Sequence, residues 1–285
     1  MTQTLIPRPV TNAPGPNPTN DTVMPTLATV FRAATRSEWT KLRTVRSTRF
    51  ALTLTIIISV GLGALFTALA VSRWNHRTAI EVIRFDPLMW SFGGLNLAQL
   101  SIGVLGVLVM TSEYATGGIK LTLGATPQRR LLLGAKVATF SAVTAAVSLI
   151  SCLLAFLVGQ AILGPTHGGV SLSDPGVLRA VAGGAMRLVF IGALAVGVGA
   201  ALRRTAGAVA VLFAVLLVLP GLVQLLPSPW NDNVTKYLPS TAGTSMSVLV
   251  RLPDLLSPAV GFLVSCGYTA AMLVIAAVLL ERRDA

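Results

Sequence analysis

Long apolar runs, parted by short segments rich in glycine, proline and charge, set the pattern of the chain. Six of them reach the ~20 residues that an α-helix needs to cross a hydrocarbon core: Ala51–Ser72, Met89–Thr111, Leu131–Leu163, Leu178–Leu202, Ala206–Leu226 and Pro258–Leu280. The third is long enough to tilt or to project from the bilayer. A transmembrane barrel would alternate apolar and polar positions over strands of about ten residues. Here Ile56-Ile57-Ile58 and Val211-Leu212-Phe213 are apolar at every position. The pattern predicts an all-α membrane protein with six transmembrane helices.

Two different segments precede the first span. Residues 1–25 hold Pro7, Pro9, Pro14, Pro16, Pro18 and Pro25 among Asn and Thr, a composition that buries too little surface to offset ordering, and are expected to form a disordered cytoplasmic tail. They have no basic segment followed by an apolar core and a small-residue cleavage site, so no secretory signal is expected. Residues 26–49 instead follow a helical wheel. Phe31, Ala34, Leu42 and Val45 share one face beside Trp39, while Arg32, Arg36 and Arg43 form an adjacent stripe, as in a helix lying among lipid headgroups. Glu38 projects from the apolar face, where an unpaired carboxylate is costly, so Lys41, Arg46 or a neighbouring span is expected to pair with it.

Composition excludes the soluble classes. The 285 residues are 53% apolar and only 11% charged, with a mean hydropathy of +0.76, against roughly a quarter charged in soluble domains. The net charge of +12 would fit nucleic acid or an anionic membrane surface, and the apolar fraction decides for the membrane. Cations favour cytoplasmic flanks. With both termini inside, Arg32, Arg36, Lys41, Arg43, Arg46, Arg49, Lys120, Arg129, Arg130, Lys136, Arg203, Arg204, Arg282 and Arg283 all fall on the inner side. The outer segments carry fewer cations, offset by Glu81, Asp86, Asp174, Asp232 and Asp254. A multi-pass plasma-membrane protein is expected. Cys152 and Cys266 lie in apolar runs, where a buried thiol is commoner than a disulfide or a metal ligand.

Three further features carry candidate chemistry. Glu113 ends the second span, and Gly117-Gly118 is expected to break its helix before Lys120, leaving either a partner-docking element or a solvated turn. The outer segment Pro227–Pro258 holds five prolines with Trp230 and Tyr237, and Thr241–Val250 is read as a short helix dipping into the outer leaflet. Arg187 is the ionisable residue well inside a span, either a satisfied cation or a contact for an anionic substrate, whereas Lys136 lies close enough to the inner surface to snorkel. Gly192, Gly197, Gly199 and Gly207 would allow close helix approach, within one chain or between chains.

Four strings together resemble the type-2 ABC transporter permeases, particularly those of actinobacteria. They are Ser37-Glu38-Trp39-Thr40-Lys41-Leu42-Arg43-Thr44-Val45-Arg46-Ser47-Thr48, Glu113-Tyr114-Ala115-Thr116-Gly117, Arg203-Arg204-Thr205-Ala206-Gly207 and Tyr237-Leu238-Pro239-Ser240-Thr241-Ala242-Gly243, and the resemblance covers about residues 26–283. It implies an elbow helix over 26–49 carrying Glu38, Trp39, Lys41, Arg43 and Arg46, then a six-span permease domain over 50–285. It further implies a short cytoplasmic coupling helix after the second span, with Glu113, Tyr114, Gly117 and Lys120, and an outer gate with Tyr237, Pro239, Ser240 and Gly243. Gly118 departs from the family, which has Thr or Ser there. The implied partners are a separate ABC ATPase subunit and a second permease chain, the same or different, together forming an exporter.

The chain has no Gly-Lys pair, hence no G-x-x-x-x-G-K-[ST] phosphate cradle, and ATP hydrolysis would belong to another chain. Two other classes are an ion-coupled secondary transporter and a membrane scaffold without transport. The first usually needs an ionisable group deep in the membrane, and no span has a carboxylate near its middle. Intramembrane hydrolysis lacks support as well. His76 and His167 fall in outer loops, no H-E-x-x-H is present, and Gly243-Thr244-Ser245-Met246-Ser247 lacks the closing glycine of a nucleophile elbow. No cofactor, metal or nucleic-acid partner is expected.

Overall fold

The computed structural model describes residues 26–119, 124, 128–228, 230–250 and 252–282, and six of its helices are long and apolar enough to cross a membrane. Among the described residues no strand occurs. Helix α1 (Leu27–Thr44) is followed by the first span α2 (Arg46–Ser72), and two short helices, α3 (Ala79–Ile83) and α4 (Pro87–Ser91), lead into α5 (Leu95–Ala115). Spans α6 (Arg129–Leu163), α7 (Val177–Leu202) and α8 (Thr205–Val223) follow. Short helices α9 (Trp230–Val234) and α10 (Pro239–Ser245) precede the last span, α11 (Pro258–Arg282). The expected tail over 1–25 lies outside the described residues.

Element ends differ from the apolar runs for local reasons. The segment expected to be one helix over 26–49 is broken at Val45, whose backbone is extended, so Arg46 opens α2. The second span begins at Leu95 and not at Met89, because Asp86 caps the separate helix α4 by accepting from Leu88 N and Met89 N. The chain then turns through Gly94, where a Cβ would fall 2.7 Å from the Ile58 carbonyl oxygen. The expected outer helix over Thr241–Val250 forms as α10, shifted toward the N-terminus, with Pro239 in its first turn. Span α6 has 35 residues, about 50 Å of helix at 1.5 Å per residue. That exceeds a ~30 Å hydrocarbon core, so the helix must tilt or project.

Large apolar side chains such as Leu88, Leu95, Ile102, Met110 and Phe140 fill the core, but the buried face of the first span is small and polar. Helix α2 buries Thr48, Thr55, Ser59, Gly63, Thr67 and Ala70 at helical spacing while Phe50, Ile57, Leu65 and Leu69 are exposed. Its hydroxyls donate back to carbonyls one turn earlier: Thr55 to Ala51 at 2.8 Å, Ser59 to Thr55 at 2.7 Å and Thr67 to Gly63 at 2.8 Å. Small residues inside and large aliphatics outside match a helix whose surroundings are lipid. This is a multi-pass membrane protein.

Helix α7 is the centre, packed by α5, α6 and α11, and buried at every position from Ile191 to Ala201. Glycine sets the spacing. A Cβ on Gly199 would fall 2.8 Å from the Val107 carbonyl oxygen of α5, and one on Gly197 would fall 3.0 Å from Met272 Cγ of α11. Gly192, Gly197 and Gly199 therefore serve packing within one chain, whereas a Cβ on Gly207 meets nothing within 4 Å. Gly199→Val is expected to destabilise by about 1–3 kcal/mol through overpacking, and Gly207→Ala to be neutral or slightly stabilising. Thermal unfolding in detergent reads both.

Helix α8 is the least buried span alongside α11. It hides Ala208, Leu212, Leu216 and Val223, one stripe, and exposes Val211, Leu217, Val218, Leu219 and Leu222. Its turn Ala214–Val218 is π-helical, just before Pro220. Proline has no N–H to donate and its ring crowds the carbonyl four residues back, so the helix widens by one residue at that place.

Candidate functional site

Helix α1 docks through Ala34, Glu38 and Leu42, spaced four residues apart and buried together. Glu38 occupies an apolar face, as its wheel position predicts, and it has found two partners. Its Oε1 accepts from Lys41 Nζ at 2.7 Å and its Oε2 from Lys136 Nζ at 2.8 Å. The same two ammonium groups both donate to Glu113 Oε1, Lys41 at 2.7 Å and Lys136 at 2.6 Å. Glu38, Lys41, Glu113 and Lys136 thus close a ring of alternating charge across α1, α5 and α6. Two positive and two negative groups leave no net charge, which is what burial in low dielectric requires.

The ring is graded in exposure. The Lys136 side chain is fully buried at 0% and Glu38 nearly so at 5%, with Glu113 at 13% and Lys41 at 42%. Lys136 was expected to snorkel. It does not, because α1 covers the first turns of α6 and presents Glu38 to it. Around Lys41, burial alone would lower the ammonium's pKa, but the hydrogen bonds it donates to the Glu113 and Glu38 carboxylates outweigh it and hold the value above the ordinary lysine range. Glu113 Oε2 is buried and has no hydrogen-bond partner among the described residues. The carboxylate therefore retains one acceptor beside a cavity of ≈ 220 Å³ lined by Leu42, Val45 and Ser112.

The rest of this end is tied together. Helix α5 stops at Ala115, and Gly117 takes the left-handed φ of 71° that ends the turn and favours glycine. Lys120 lies outside the described residues, as does most of the segment expected to form a coupling helix. Tyr114 packs under Arg203, whose guanidinium sits 5.1 Å from the ring centroid. Thr205 Oγ1 donates to Thr111 Oγ1 at 3.0 Å, joining α8 to α5. Arg129 Nη1 donates to the Leu280 carbonyl at 2.6 Å, and Arg130 pairs with Glu281, joining α6 to α11. Trp39, Arg43 and Arg46 do not join the ring: Trp39 is half exposed, and both arginines face outward on α1 and at the head of α2.

At the opposite end the structure brings Arg187 against the segment expected to form an outer gate. Pro239, Ser240 and Gly243 are buried in α10, while Tyr237 is exposed before it. A Cβ on Gly243 would fall 2.6 Å from Arg187 Cγ, so only glycine lets α10 lie on the arginine stem. Arg187 Nη2 donates to Asn96 Oδ1 at 2.8 Å and to Gln99 Oε1 at 3.1 Å. Sequence reasoning passed over both amides, whose signal is a pair one helical turn apart in an apolar run. It also passed over Asp86, which accepts from Leu249 N at 2.6 Å and Val250 N at 2.7 Å and so anchors the chain after α10 to α4.

Among the described residues no group of three His, Cys, Asp or Glu side chains is placed to hold a metal ion. Compared with known proteins, the chain matches no family model and no curated relative.

Proposed function

We propose that this chain is the membrane-spanning permease subunit of an ATP-driven ABC exporter of the type-2 class, powered by a separate ATPase subunit. The observation that carries the reading is the ionic ring. It fastens an amphipathic helix to the ends of two spans, α5 and α6, beside a glycine-ended turn. A helix held in this way moves with the spans as one body. Force applied to the Glu113–Gly117 turn by a closing ATPase dimer would then reach α5, α6 and α1 together, as a rigid-body rotation. In this reading α1 is the elbow helix, the turn after α5 leads into the coupling helix, and Glu113 at the head of that turn ties it to α1 through Lys41 and to α6 through Lys136.

The cation distribution supports a plasma-membrane orientation with the α1 end and both termini in the cytoplasm. Segment α10 with Tyr237 and Pro239 then forms the outer gate, and the exposed stripe of α8 is a surface for lipid or for a second permease chain. The ion-coupled alternative is disfavoured by where the carboxylates lie. Glu38 is outside the spans, and Glu113 is in the last turn of α5, neutralised by two lysines.

Affinity purification from native membranes tests the proposal. The chain is expected to bring with it a subunit containing a Walker A motif at about equal stoichiometry, and the complex, not the isolated chain, is expected to hydrolyse ATP. Robust hydrolysis by the chain alone, or a pure chain with no such subunit, overturns it.

A further inference from the structure

Arg187 lies in α7, 2% exposed, with neutral oxygens as its hydrogen-bond partners. Burying a guanidinium without a counter-ion is costly, and such a group is retained where it meets a charge that arrives. Asp86, the buried carboxylate in the outer segments, is occupied by four backbone N–H groups, those of Leu88, Met89, Leu249 and Val250. Both bonds of Arg187 leave from Nη2, and its Nε is buried with no hydrogen-bond partner among the described residues. The fork is also aimed. Gln99 Nε2 donates to the Asn96 carbonyl at 3.0 Å and Asn96 Nδ2 to the Gly93 carbonyl at 3.2 Å, which turns both amide oxygens toward Nη2.

A cavity of ≈ 230 Å³ adjoins this guanidinium, walled by Phe66, Met89, Trp90, Thr244 and Ser247. It is smaller than the ~300–1,000 Å³ typical of sites that enclose a whole drug-sized ligand. A headgroup fits, and a longer chain would have to lie outside. Phe66 and Met89 at its wall are 36% and 48% exposed, so the flank of the cavity is apolar and open.

We propose that this cavity binds the oxyanion headgroup, carboxylate or phosphate, of an amphiphile, with Arg187 as the charge donor, Asn96 and Gln99 as its positioning residues and the flank at Phe66 and Met89 carrying the apolar chain. Helix α10 roofs the site through Gly243 and Thr244, so a gate over this end would register an occupied pocket. The inference rests on the transport reading only in taking the bound amphiphile as cargo.

The test is equilibrium binding of radiolabelled oleate to the purified full chain in maltoside detergent. Saturable binding is expected, displaced by unlabelled oleate and by oleyl phosphate but not by oleyl alcohol. Arg187→Gln is expected to weaken it at least tenfold and Arg187→Lys less. Thr244→Leu, which fills the cavity and leaves the guanidinium in place, is expected to match Arg187→Gln and keeps the test valid if that variant folds poorly. Equal displacement by oleyl alcohol, or unchanged binding in Thr244→Leu, would overturn the proposal. So would displacement by millimolar inorganic phosphate or acetate as effective as oleate, since the pocket would then read a free anion. Because no ATPase is present, a chain that binds oleate yet recruits no ATPase contradicts the transport reading and not the pocket.

Discussion

Lys136→Met is expected to lower the unfolding free energy by about 3–5 kcal/mol, the cost of leaving a buried charge without its partner. The ammonium is fully buried and touches Glu38 at 2.8 Å and Glu113 at 2.6 Å. Its removal leaves two carboxylates facing one lysine, and that lysine is partly in water. Methionine keeps nearly the same volume, so lost packing contributes little. The double variant Glu38→Gln/Lys136→Met restores charge balance, and it is expected to regain more than half of the loss, because well-packed neutral groups often replace a buried pair without penalty. Thermal unfolding in detergent distinguishes the cases. Equal losses in the single and double variants would mean that the ring acts through shape and not through charge.

Glu113→Gln is expected to separate coupling from assembly. The amide keeps an oxygen for one lysine but removes the charge that both lysines share, and a partly buried group of this kind costs about 1–3 kcal/mol when its hydrogen bonds are weakened. The variant should still insert and still bind the ATPase subunit, while ATP turnover falls by about tenfold or more, equivalent to about 1.4 kcal/mol of lost transition-state stabilisation. Arg203→Ala is no neutral control, although it lies in a separate turn. Its guanidinium covers the Tyr114 ring and donates to the Leu279 carbonyl at 3.5 Å, so it belongs to the same corner. Arg36→Ala, exposed on α1, is the suitable comparison and should leave turnover unchanged. Normal turnover in Glu113→Gln would remove this carboxylate from coupling.

Apolar periodicity carried most of the fold, since span length and composition are properties of contiguous residues, and α6 and α7 begin and end within two residues of their runs. The misfit of Glu38 on an apolar face was equally legible, because a helical wheel needs only one element. Lys136 was not. A lysine a few residues into a span reads as snorkelling unless another element covers it, and that element, α1, lies about a hundred positions earlier in the chain. The break at Val45 and the early stop of α8 depend on backbone angles and on the proline-induced π turn, which hydropathy does not encode. Asn96, Gln99 and Asp86 act through contacts 88 to 164 residues away in sequence, and composition says nothing of them.

Site-specific photo-crosslinking from Thr116, exposed at the turn that follows α5, tests the permease assignment most directly. With a photoreactive phenylalanine analogue at this position in the assembled complex, the account predicts an ATP-sensitive adduct to the ATPase subunit, and none from the same probe at Tyr237 on the opposite end. An ATPase adduct from Tyr237 and none from Thr116, or no ATPase adduct from either, would contradict it.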